Sequence, residues 1–67
     1  DRLAFVITGL GELQYKVGQP KKALEWLSQA LNLYQKLGAR APAELVATEI
    51  AAIEAALEDE KKSVDTP

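Results

Sequence analysis

Apolar residues recur along the chain at Leu3, Val6/Ile7, Leu10, Leu13 and Val17, then at Ala23/Leu24, Leu27, Ala30/Leu31, Tyr34 and Leu37. Steps of three and four residues put side chains on one face of a helix, and no stretch alternates with the period of two that a strand requires. The two runs are separated by Gly18-Gln19-Pro20. Glycine suits the left-handed residue that closes a helix, and proline suits the first turn of the next, where an N–H would have no partner. A third run follows Gly38 and carries Leu45, Val46, Ile50, Ile53 and Leu57, with Pro42 and Glu44 suited to its first turn. The pattern therefore predicts an all-α fold: an antiparallel helix-turn-helix over 3–17 and 20–37, and a third helix over 43–59. Beyond Glu58 the apolar period stops, so 1–60 is expected to form the helical module and 61–67 a frayed polar tail.

Gly11 falls on a face that otherwise reads as core, where glycine costs roughly 1 kcal/mol relative to alanine. Close helix crossing offsets such a cost, with Gly11 on the first helix set against Leu27 or Ala30 on the second. Gly9, two residues away, points about 200° around the helix and is expected on the outer face. The chain also repeats itself. A shift of forty residues pairs Val6 with Val46, Thr8 with Thr48, Leu10 with Ile50, Leu13 with Ile53 and Val17 with Leu57. The third helix thus reads as a second copy of the first.

Leu10-Gly11, followed by Tyr15, Gly18, Ala23, Leu27 and Ala30, resembles the tetratricopeptide (TPR) repeat in spacing and residue type. The resemblance covers Ile7 to Leu33 and departs from the family at three places. Ile7 stands where the family often has tryptophan, Gln14 where it prefers tyrosine, and Gln35 where a proline commonly ends the second helix. Without that proline the second helix continues to Gly38, and the repeat lengthens towards forty residues, as in the extended variant of the family. The resemblance implies about one and a half repeats, a three-helix fragment of an α-solenoid. Asp1-Arg2 stands where Ala39-Arg40 stands before the next repeat, so the chain is expected to be the C-terminal end of a longer array.

At 67 residues, 48% hydrophobic and 27% charged, the chain holds one small domain. At this size burial and conformational entropy nearly cancel, leaving ~3–5 kcal/mol of stability unless something staples the fold. There is no cysteine for a disulfide and no histidine for a metal. Ten acidic and eight basic residues are interspersed for a net charge of −2, without the concentrated positive field that nucleic acid requires. Lys21-Lys22 and Lys61-Lys62 are isolated pairs on helix exteriors. No apolar run approaches a membrane span and no signal-peptide pattern is present, so a cytoplasmic location is expected.

Candidate chemistry is sparse. Gly9-Leu10-Gly11 lacks the third glycine and the preceding strand of a dinucleotide loop. Glu58-Asp59-Glu60 has no calcium-loop spacing. Ser28 and Ser63 have neither a histidine nor a lysine motif to activate them. No catalytic residue, cofactor or metal is therefore expected, and the chain reads as a non-catalytic surface for another protein or peptide.

The resemblance implies where that surface lies, because the first helix of each TPR repeat lines a concave groove. Carried over by position, the groove would present Phe5, Thr8, Gly9, Glu12, Tyr15 and Lys16 from the first helix. Leu45, Thr48, Glu49, Ala52 and Ala56 would come from the third. The subtype that clamps a C-terminal carboxylate uses asparagine, lysine and arginine there, whereas the matching positions here hold Gly9, Glu12, Glu49 and Ala52. A basic or apolar ligand suits Glu12 and Glu49 better. The alternative is a structural module whose apolar faces hold neighbouring repeats or a second copy. That reading expects the bare stripe on the third helix, whose leucines, valine, isoleucines and alanines cover more of its circumference than one neighbour can bury.

Overall fold

A computed structural model of the chain describes residues 2–65, with side chains described as far as Glu60. It contains three helices: α1 (Arg2–Lys16), α2 (Pro20–Leu37) and α3 (Arg40–Asp65). Both connections are too short for anything but antiparallel neighbours. Each is closed by the same device. Gly18 has φ 84° and Gly38 φ 71°, the left-handed region that glycine enters without a Cβ penalty. At the first turn the Gly18 N–H donates to the Tyr15 carbonyl (3.1 Å) and the Gln19 N–H to that of Gln14 (2.8 Å). At the second, Gly38 donates to Gln35 (3.1 Å) and Ala39 to Tyr34 (2.9 Å). These paired bonds satisfy carbonyls that the helix end would otherwise leave open.

The starts of α2 and α3 are also alike, since the first helical bonds run from Ala23 N–H to Gln19 (3.0 Å) and from Ala43 N–H to Ala39 (3.1 Å). This places Pro42 inside the first turn of α3, so the helix begins at Arg40 and not at 43. The first turn has free N–H groups, and a proline there forfeits no bond. The other end differs as well: the backbone of the segment read as a tail stays helical to Asp65, while 66–67 lie outside the described residues. Losing the apolar period ends packing, but glutamate and lysine are good helix formers and no glycine or proline intervenes before Pro67. At 1.5 Å per residue α3 is about 39 Å long and α2 about 27 Å, so the end of α3 outruns the hairpin.

α2 is the shared element. α1 and α3 each pack along it and barely touch one another. The core is one thin line: Ala4, Ile7 and Gly11 from α1, Ala23, Leu27, Ala30 and Tyr34 from α2, and Ala43, Val46 and Ile53 from α3. Gly11 brings α1 and α2 together, as its face suggested. A Cβ there would lie 2.8 Å from Leu27 Cγ, 2.9 Å from Leu27 Cδ2 and 3.3 Å from the Ala23 carbonyl oxygen. The crossing is at Leu27, not Ala30.

The apolar stripe of α1 is in fact two stripes. Ala4, Ile7 and Gly11 face α2, whereas Leu3, Val6, Leu13 and Val17 are more than half exposed and Leu10 is half-buried. The small residues win the interior because they allow the closer approach, which leaves the large ones on the flank. The expectation for the third helix is corrected with it. Val46 (1% exposed) and Ile53 (6%) are buried within the chain, and Ile50 and Leu57 pack against the core. Of the large apolar residues on α3, Leu45 alone is exposed among those described. The bare apolar face belongs to α1.

Candidate interaction furrow

Because α1 and α3 flank α2 without meeting, a furrow opens between them with α2 as its floor. It encloses about 410 Å³ and is lined by Glu12, Tyr15 and Lys16 of α1, Leu27 of α2, and Glu49, Ala52 and Ile53 of α3. Leu27 and Ile53 form a buried apolar floor, while the rims carry the phenol, the amine and the two carboxyls. A second concavity of about 430 Å³ lies at the α2–α3 corner, around Tyr34, Gly38 and Ala43. The carbonyls of Tyr34 and Gln35 there are already taken by the turn.

The furrow brings together Glu12, Tyr15, Lys16, Glu49 and Ala52, five of the residues that the resemblance implied. Phe5, Thr8, Gly9, Leu45, Thr48 and Ala56 do not line it. Phe5 and Leu45 are nonetheless well exposed, at 74% and 64%. The two threonine hydroxyls are directed into their own helices: Thr8 Oγ1 donates to the Ala4 carbonyl (2.8 Å) and Thr48 Oγ1 to that of Glu44 (2.9 Å). The same local bond recurs forty residues apart, a structural counterpart of the sequence repeat. Leu27 and Ile53 were legible as core positions; what the periodicity could not show is that the same side chains floor an opening.

Glu12 and Glu49 are the electrostatic feature of the site. They approach from different helices to within hydrogen-bonding reach, and Glu49 Oε1 is buried with no hydrogen-bond partner. Burial pushes the Glu49 carboxyl from its ordinary 4.5 up to about 7, and the hydrogen bond to Glu12 and its negative charge push in the same direction. A hydrogen bond between two carboxyl groups needs a proton on one of them. Glu49 is therefore held protonated well above the ordinary carboxylate range, up to about pH 7.

Among the described residues, no three His, Cys, Asp or Glu side chains come together in a way that could hold a metal ion. No helix there is long and apolar enough to cross a membrane. No family model matches the chain, and neither a curated protein nor a solved structure matches it.

Proposed function

We propose that this chain is a non-catalytic protein-interaction module of the TPR type, taking an extended or helical peptide along the α1/α3 furrow. The observation that carries the reading is the furrow itself: an apolar floor of Leu27 and Ile53 beneath Glu12 and Glu49. An apolar residue of the ligand would cover the floor. A lysine or arginine side chain would take the place of the shared proton, turning a repulsive carboxyl pair into two charge-assisted hydrogen bonds. The internal forty-residue repeat and the placement of α1 and α3 on one common helix support the family reading. A cytoplasmic location goes with it as part of the same proposal.

The test is an NMR titration with a synthetic peptide of leucine and lysine, set beside the same peptide with glutamate replacing lysine. The lysine peptide should shift the amides of Glu12, Tyr15, Glu49 and Ala52 and release protons at neutral pH, while the glutamate peptide should do neither. Replacing Glu12 and Glu49 together by glutamine should abolish the preference. Equal response to both peptides, or shifts confined to other surfaces, would refute the assignment.

A further inference from the structure

Four residues of α1 and the turn that follows it bear on a different surface: Val6, Leu10, Leu13 and Val17, spaced four, three and four apart. That is the seam spacing of two helices that pack along their length. By helical geometry the seam lies on the opposite flank of α1 from Glu12 and Tyr15, so it is separate from the furrow. Val6 (54% exposed), Leu13 (53%) and Val17 (62%) face solvent, and Leu10 is half-buried. The forty-residue repeat shows what such a seam accepts. Its counterparts Val46, Ile50, Ile53 and Leu57 are buried or half-buried where α3 lies on α2. The same set of side chains is covered in one copy and bare in the other.

Gly9 supplies an independent observation. It sits at the midpoint of α1 (Arg2–Lys16), is exposed, and has nothing within 4 Å of where its Cβ would be. The fold makes no use of it, although glycine at mid-helix costs roughly 1 kcal/mol. Beside a bare seam, it is the place where a second backbone can come close.

We infer that the α1 seam is a self-association surface, and that two copies of this chain meet through it about a two-fold axis passing between Leu10 and Leu13, since the spacing of four, three and four read in reverse sets Val6 against Val17 and Leu10 against Leu13. Head-to-tail stacking is the alternative way for a repeat to cover itself, and the chemistry of α3 opposes it. The outer face of α3 interleaves Ala47 and Ala51 with Glu44, Glu54 and Glu58, all exposed. Pressing a leucine and valine seam onto that face would desolvate carboxylates with no cation opposite. Phe5 and Leu45, the most exposed large apolar residues, offer no comparable row. The complement of the seam on this surface is the seam itself, and a two-fold contact covers both at once and closes. Gly9, one residue before Leu10, flanks that axis.

Sedimentation equilibrium of the unmodified chain decides the matter. A dimer is expected at high micromolar concentration. Leu13→Lys should raise Kd at least about a hundredfold, equivalent to about 2.7 kcal/mol, while circular dichroism shows the helices intact. Gly9→Gln should weaken the dimer yet leave the monomer as stable or more so, since its own chain leaves the space open. A folded monomer at high micromolar concentration overturns the inference, as does a dimer indifferent to both substitutions. The furrow is judged separately: Leu13→Lys should still respond to the lysine peptide, and glutamine at positions 12 and 49 should leave dimerisation unchanged.

Discussion

Gly9 and Gly11 stand two residues apart on one helix and have opposite reasons to be glycine. The space at Gly11 is filled by Leu27, itself 1% exposed, and by the Ala23 carbonyl. Gly11→Leu should destabilise the fold by about 1–3 kcal/mol through overpacking, and a neutral result in thermal melts would contradict the close crossing. Gly9→Ala gains helix propensity without meeting any atom, so the monomer should gain up to about 1 kcal/mol. Glu49 sets the pH response. Its folded-state pKa of about 7 lies above the ordinary 4.5, so between those values the folded state holds a proton that the unfolded state has released. Stability is then fully present below about 4.5, is lost as pH rises towards 7, and levels off above it. Melting temperature across that window should show the decline, and Glu49→Gln should remove it; a melting temperature that rises with pH between 5 and 7 would reverse the assignment.

At the scale of the element, the two turns are the devices that make three helices from one apolar sequence. Each uses a positive-φ glycine and the same pair of backbone bonds. An L-residue in that conformation costs roughly 1–2 kcal/mol, so Gly38→Ala should lower stability by about 1 kcal/mol and lower the urea midpoint without changing the m-value. An unchanged midpoint would mean that the chain leaves α2 by another route. The first turn of α3 shows how a helix boundary escapes a simple reading of proline. Pro42 permits a helix to begin at Arg40 because the residues before it need no bond from it. The far end follows the converse rule: apolar contact stops at Leu57, while the backbone continues helical to Asp65.

For the whole molecule, the narrow core governs behaviour. Among the described residues the large side chains that are wholly buried are Leu27 and Val46, and much of the rest of the core is alanine. A domain with ~3–5 kcal/mol to lose has no reserve against a buried charge. Ile53 belongs to the core and to the furrow floor at once, so Ile53→Glu should unfold the chain and not merely separate a dimer; retained helicity by circular dichroism would show that the floor is open to water. This distinguishes α3 from α1, where a charge at Leu13 meets solvent and the fold survives it.

The all-α class, the number of helices, both glycine turns and the close approach at Gly11 were legible in the sequence, because each rests on local backbone geometry or on a period of 3.6 residues. The pairing of copies forty residues apart was legible for the same reason. Which of two apolar stripes on α1 turns inward was not. Periodicity fixes the angle between side chains on one helix, but α2 selects the inward stripe by how near it can come, and the small residues Ala4 and Gly11 let it come nearer than Leu3, Val6 and Leu13 would. That choice moved the bare apolar face from the third helix to the first. The family resemblance likewise implied Glu12 and Glu49 as members of one concave face, but the raised pKa of Glu49 depends on its burial and on Glu12 reaching it from a helix that α3 barely touches. Such a contact is set by the packing of three elements at once, a quantity that only the tertiary structure contains.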